Sequence, residues 1–304
     1  MRAGVDAAAV RIAGRVRRTP VLAVEAGVFL KLEFTQHTGS FKARGAFNRL
    51  LAAAEASALP DAGVVAASGG NAGLAFAYAA RALGARAQIY VPATAPAVKV
   101  ARLRELGAEV VQVGSEYVEA HEAAVKRSAD AGALYCHAYD QPEVVAGQGT
   151  VALELAEQTG GVDTVLVSTG GGGLVGGIAA ALAGQARVVA VEPELAPTLY
   201  EALAAGGPVD VPVSGVAVDS LGARRAGTIA YEIAARTGVR SVLVSDQAIV
   251  AARALLWDRY RLVVEHGAAA AMAALVSGAY RPARGERVAV VLCGANTDPA
   301  DLVR

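Results

Sequence analysis

Apolar positions along the chain follow two rhythms. Short runs in which nearly every residue is apolar recur at 28–33, 64–67, 88–91, 109–113, 133–137, 164–168, 187–192, 241–244 and 288–292. Between them lie longer segments with apolar residues at helical spacing: 5–18, a helix opening near 42 that carries Ala46, Phe47, Leu50 and Leu51, then 74–83, 97–106 and 116–131. After Pro142 the pattern gives a helix around 144–146 and a longer one at 150–158. Further helices follow at 173–182, 224–236, 246–261 and 267–276, and residues 206–222 read as a long loop. The first rhythm predicts strands buried on both faces and the second amphipathic helices. Their alternation predicts an α/β fold with open, twisted, mainly parallel sheets and helices on both faces. Residues 50–138 form a self-contained βαβαβα block, which predicts two sheets: a small domain at 50–138 and a large one from 1–49 plus 139–304.

Composition narrows the function classes. The chain has 304 residues, 54% of them hydrophobic, enough for a large core. Lys+Arg and Asp+Glu both number 28, so nothing suggests a nucleic-acid or membrane-surface partner. No uncharged apolar run approaches the roughly 18 residues of a membrane span. The start lacks the apolar core of a signal peptide. The two cysteines, Cys136 and Cys293, are therefore expected as reduced thiols in a cytoplasmic protein.

Four strand ends carry unusual chemistry, and strand ends are where such folds bind ligands. The first is Thr38-Gly39-Ser40-Phe41-Lys42, a polar turn opening a helix. A lysine there is disfavoured as a cation, which makes its amine a better nucleophile. The second is Ser68-Gly69-Gly70-Asn71-Ala72-Gly73, whose small residues allow close backbone approach. The third, Ser168-Thr169-Gly170-Gly171-Gly172-Gly173-Leu174, forms a nest of N–H groups suited to a phosphate. No Gly-Lys-Ser/Thr follows it, and Glu192, about 20 residues on, only mimics a ribose-binding acid. The fourth is an apolar strand ending at Cys293, then Gly294-Ala295-Asn296. A nucleophilic lysine, a phosphate nest, an amide and a weakly polar thiol describe a pyridoxal 5′-phosphate (PLP) site.

On these residues, together with Lys31-Leu32-Glu33, Arg44-Gly45-Ala46, Gly147-Gln148-Gly149-Thr150 and Val264-Glu265, the chain resembles the fold-type II PLP enzymes of the tryptophan synthase β family. It is most similar to their serine/threonine dehydratases and serine racemases. The resemblance implies PLP in a cleft between the two domains. It implies Lys42 as Schiff-base lysine and general base, and Gly170 to Gly173 as phosphate cradle with Phe41, Leu174 and Glu265 nearby. Asn71 would meet the 3′-oxygen and Cys293 the pyridine nitrogen. Thr38 (with His37 as an alternative), Ser68, Gly69 and Ala72 would receive the substrate.

Several positions sort the subfamilies. Ala43 replaces the acid that synthases favour after the lysine, and Gly69 replaces the second proton-carrying serine of racemases. Ala72 stands where a His is usual, and His266-Gly267 where Pro-Ser is usual. Ser214 stands where an Asp is common in the cation site, so no metal is assigned. No further 100 or so residues supply an isoleucine-binding regulatory domain. The resemblance thus implies β-elimination of L-threonine or L-serine by a cytoplasmic homodimer. Serine racemisation, dehydration of 3-hydroxyaspartate or phenylserine, and a catalytically inactive amino-acid-binding homologue are its alternatives.

Overall fold

The computed structural model describes residues 1–25 and 27–302. The chain runs α1 (Arg2–Arg11), β1 (Val21–Glu25), β2 (Val28–Lys31), α2 (Lys42–Glu55), β3 (Val64–Ala67), α3 (Asn71–Ala82), β4 (Ala87–Val91), α4 (Ala97–Glu105), β5 (Glu109–Gln112), α5 (Tyr117–Ala131) and β6 (Leu134–Tyr135). It continues through α6 (Pro142–Thr159), β7 (Thr164–Ser168), α7 (Gly173–Leu182), β8 (Arg187–Pro193), α8 (Thr198–Ala205), α9 (Val218–Leu221), α10 (Thr228–Thr237), β9 (Arg240–Val244), α11 (Asp246–Tyr260), α12 (His266–Ser277) and β10 (Val288–Val291).

Six strands form one sheet in the order β1-β2-β10-β7-β8-β9, and four form a second in the order β5-β4-β3-β6. Every pairing is parallel except β1 with β2. The α/β architecture with two mainly parallel sheets is as expected. In the middle of each sheet the strands are buried on both faces, as Val64–Ala67, Thr164–Ser168 and Val288–Val291 show. That is why their sequences run apolar instead of alternating.

Helix α2 links the sheets. Its Ala46, Phe47 and Leu50 fall at helical spacing and pack with Leu74 and Phe76 of α3 and Val144 of α6. Leu50 is fully buried, worth about 2 kcal/mol relative to leaving it in water. Gly147 and Gly149 read as breaks between two helices, yet α6 is continuous. A Cβ at Gly147 would come within 2.6 Å of the Arg44 carbonyl oxygen, and one at Gly149 within 2.6 Å of that of Gly177. These glycines therefore serve backbone-to-backbone packing of α6 on α2 and α7, which outweighs their poor helix propensity.

Other boundaries also shift. Helix α1 ends at Arg11 instead of reaching 18, and α3 starts at Asn71 instead of Leu74. The edge strand β1 and helix α8 are additions to the expected elements, and the 206–222 loop contains α9. Strand β10 ends at Val291, so Cys293 lies two residues past it.

Candidate active site

Two of the four expected loops, Ser68–Gly73 and Ser168–Gly173, leave a strand and open a helix. The Thr38 turn opens α2, and the Cys293 turn leaves β10. Hydrogen bonds join the Thr38, Asn71 and Cys293 turns directly, and the glycine loop meets them through residues 138–139, where Lys42 bonds the Ala138 carbonyl and the Tyr139 ring covers Gly171. Lys42 is the first residue of α2, capped by no side chain. Its Nζ donates to the Ala138 carbonyl oxygen at 2.8 Å and sits 5.1 Å from the Phe41 ring centroid. Burial pulls its pKa down to about 8, and the nearby Cys293 and Glu265 only partly offset this. The helix N-terminus is the cause expected from sequence; in the structure desolvation lowers the pKa.

The chain has only four lysines. Lys31 lies 2.8 Å from Glu154, Lys99 3.2 Å from Asp219 and Lys126 2.5 Å from Asp130. Among the described residues, Lys42 is the one lysine with no carboxylate partner.

The glycine loop follows β7. Gly172 has φ +88, a left-handed conformation that side chains avoid. A Cβ on Gly171 would strike the Tyr139 ring at 2.5 Å, so the loop tolerates no side chain there. Among the described residues, the N–H groups of Gly170, Gly171, Gly172 and Gly173 find no protein acceptor. Buried amides are rarely left so. Four adjacent free donors at a helix N-terminus fit a phosphate, and with the amine of Lys42, held by a carbonyl and no carboxylate, they fit PLP. Leu174 is buried behind them in α7.

Asn71 opens α3. Its Nδ2 donates to Glu265 Oε1 at 2.8 Å, and its Oδ1 accepts from Asn296 Nδ2 at 2.6 Å. Asn296 Nδ2 also reaches the Thr38 carbonyl oxygen at 2.8 Å, and Arg102 donates to Asn296 Oδ1 at 2.8 Å. Glu265 precedes α12, and burial raises its pKa to about 7 despite the Asn71 hydrogen bond. Cys293 is buried and its carbonyl oxygen accepts the Phe41 N–H at 3.0 Å. Burial, then the neighbouring Glu265, push its thiol above the ordinary range, so it stays neutral.

Ser68 Oγ accepts the Gly70 N–H at 3.2 Å, which folds the 68–70 turn. Ala72 is buried in the first turn of α3. A Cβ at Gly69 would meet only Val91, at 3.5 Å, so space does not exclude a side chain there. Thr38 holds φ +62, and its Oγ1, like Ser40 Oγ, is buried without a partner. His37 turns away to stack on Tyr78, 4.9 Å between centroids. Together with Thr38 it lines a cavity of about 370 Å³ that Arg17, Tyr78 and Arg102 also border.

Glu192 is not part of the site. It accepts the N–H groups of Leu199 at 2.7 Å and Tyr200 at 2.8 Å and so caps α8. Both cysteines are free and buried, and burial lifts Cys136 to about 12. No metal-binding cluster of His, Cys, Asp or Glu occurs among the described residues. No helix among them is long and apolar enough to cross a membrane.

A family model described as pyridoxal-phosphate dependent enzyme matches residues 12–294. The chain is 39% identical over 280 residues to a phenylserine dehydratase of Ralstonia pickettii, covering 91% of this chain and 85% of that protein. It is 36% identical over 298 residues to an L-threonine ammonia-lyase of Geobacter sulfurreducens, covering 95% and 73%. Among solved structures, a threonine deaminase from T.th. matches with a TM-score of 0.88 at 36% identity, over 97% of this chain and 98% of that one.

Proposed function

The chain belongs to the pyridoxal-phosphate dependent enzymes, and from that premise we propose that it is a dehydratase of 2-amino-3-hydroxy acids. L-Threonine or L-serine would leave as 2-oxobutanoate or pyruvate plus ammonia. The observation that carries this reading is Lys42: one lysine without a carboxylate partner, with its pKa drawn down to about 8, bonded to the segment whose Tyr139 ring covers the loop of four free glycine amides. Relatives named as threonine and phenylserine lyases over most of the chain support the same reaction class.

When bound, PLP supplies the electron sink that acidifies the substrate Cα–H. Lys42 Nζ would attach the cofactor and, once free, take the Cα proton; near pH 8 half of it is already the neutral amine a base requires. The N–H groups of Gly170 to Gly173 would hold the phosphate, with Phe41 and Leu174 packing around it. Cys293, kept neutral by burial, would face the pyridine nitrogen. Asn71 would face the ring oxygen, oriented by Glu265 and Asn296. The turn of Ser68 and Gly69, with Ala72 and Thr38, would orient the substrate carboxylate through backbone donors at the start of α3.

The small domain of this reading is 50–138 and the large one 1–49 plus 139–304; β3, β4, β5 and β6 of the second sheet all fall inside the former. The enzyme would be a cytoplasmic homodimer, which light scattering on the purified protein checks.

The test is a keto-acid assay across L-serine, L-threonine, 3-hydroxyaspartate and phenylserine, with chiral analysis of residual serine. The expected result is keto-acid formation with little D-serine, abolished in Lys42→Ala. D-serine formed as fast as pyruvate would make the protein a racemase. A colourless protein without activity would make it a binding homologue.

A further inference from the structure

The chain is sparing with aromatic residues: 5% Phe, Trp and Tyr, and four histidines. Three tyrosines and two of those histidines nevertheless meet in one continuous wall beside Lys42. Tyr139 and His137 lie 4.6 Å apart between centroids at 85°. His137 is 6.2 Å from His121 and 6.4 Å from Tyr135, both steeply tilted. His121 lies 5.9 Å from Tyr135 and stacks on Tyr117 at 6.0 Å and 20°.

The inner end of the wall is fixed to the reacting lysine. Lys42 Nζ bonds the carbonyl of Ala138, the residue between His137 and Tyr139. The ring of Tyr139 lies over Gly171. The outer end, Tyr117, opens α5 and is 52% exposed. The inner polar atoms are occupied: Tyr135 Oη pairs with His121 Nδ1 at 2.9 Å, and His137 Nδ1 accepts the N–H of Tyr139 at 3.2 Å and of Asp140 at 2.9 Å. The Tyr139 hydroxyl donates to the Arg225 carbonyl at 3.1 Å. Of the three tyrosines, only Tyr135 packs on a hydrophobic core. Tyr117 and Tyr139 belong to none of the three core clusters; Tyr139 packs on Gly171 and Gly173 instead, and core packing leaves Tyr117 unaccounted for.

Resting on the dehydratase reading above, we infer that this wall receives the substituent on the substrate's β-carbon, and that the preferred substrates are 3-aryl-2-amino-3-hydroxy acids. Aromatic rings favour tilted or offset partners, and a substrate ring would extend a series of such contacts that begins at His137 and Tyr139, on either side of the carbonyl that the reacting lysine bonds. A threonine methyl is too small to meet them. A second carboxylate would meet phenol and imidazole edges in this wall instead of a guanidinium. His137 in particular stays neutral, since burial lowers its pKa to about 4.

The test pairs kinetics with ligand titration on the PLP-loaded enzyme. In the wild type, kcat/KM for L-threo-phenylserine should exceed that for L-threonine. Tyr117→Ala should cut that ratio roughly tenfold, and Tyr117→Phe should preserve it. L-Phenylalanine, which carries the ring but no leaving group, should perturb the cofactor spectrum at roughly tenfold lower concentration than L-alanine, a preference lost in Tyr117→Ala. A ratio that favours threonine, or that Tyr117→Ala leaves unchanged, overturns the inference. If no hydroxy acid is eliminated, the dehydratase reading fails, and the phenylalanine preference then decides the aryl subsite by itself: its presence sustains the subsite and its absence rejects it.

Discussion

Two groups of buried charge flank helix α2, and the protein treats them oppositely. Lys42 and Arg44 are two residues apart, which puts their side chains about 200° apart around the helix. On the Arg44 side every ion is paired. The guanidinium donates to Glu33 through Nε and Nη2, both at 2.8 Å, and to Glu154 at 2.7 and 2.9 Å. Lys31 completes the group through Glu154 at 2.8 Å, Gln158 at 2.9 Å and the Thr19 carbonyl oxygen at 2.8 Å. Two cations meet two carboxylates, and Lys31, Glu33 and Arg44 are fully buried. Burial opposes charge on Arg44, but the carboxylates outweigh it and hold its pKa above normal. On the Lys42 side the ions are left short of partners: the lysine has no carboxylate, Glu265 rises to about 7, and the thiol stays neutral. One face anchors the helix; the other keeps groups able to exchange protons.

Breaking each face should therefore give opposite results. Lys42→Ala should cost roughly 10³-fold or more in elimination rate. The same change should leave thermal stability equal or higher, because it removes a poorly solvated amine. Arg44→Met should do the reverse, destabilising the fold by about 3–5 kcal/mol in urea titrations because Glu33 and Glu154 are left to share one cation, Lys31, in a buried site. Its remaining folded fraction should still bind PLP.

Acidity sharpens the contrast. Burial raises the pKa of Glu154, but Arg44 and Lys31 outweigh it and lower it overall, so the stability it contributes is present above the unfolded value and lost as pH falls. Glu265 is raised to about 7, so its contribution is present below the unfolded value and lost as pH rises through about 7. Glu265→Gln should thus gain about 3 kcal/mol relative to wild type between about pH 4.5 and 8, read from urea unfolding at both pH values. A flat difference would show that Glu265 is solvated. The smallest effect expected is that of Gly172→Ala. Its positive φ and a Cβ 2.6 Å from that of Ala230 should weaken PLP binding by about 1–2 kcal/mol, measured by titrating the apoprotein with cofactor.

The Lys42 face is legible in the sequence because its signals are local. Thr38 to Lys42, Ser68 to Gly73 and Ser168 to Gly173 each announce a turn through composition alone. The paired face is not. Lys31, Glu33 and Arg44 stand out as a motif without a role, because Arg44 finds Glu154 110 residues away and Lys31 finds it 123 away. Asn296 and Arg102 escape for the same reason, since the bond from Asn296 to Asn71 spans 225 residues and that from Arg102 to Asn296 spans 194. Gly147 and Gly149 mislead in the other direction: glycine marks helix ends by propensity, and only the crossing of α6 over α2 and α7 shows why it sits inside a helix.

The central claim is that Lys42, alone among four lysines, carries the cofactor. Borohydride reduction of the PLP-loaded protein, followed by proteolysis and peptide mass mapping, tests it directly. The account predicts a pyridoxyl adduct on the peptide containing Lys42. An adduct on Lys31, Lys99 or Lys126, or none at all, would contradict it.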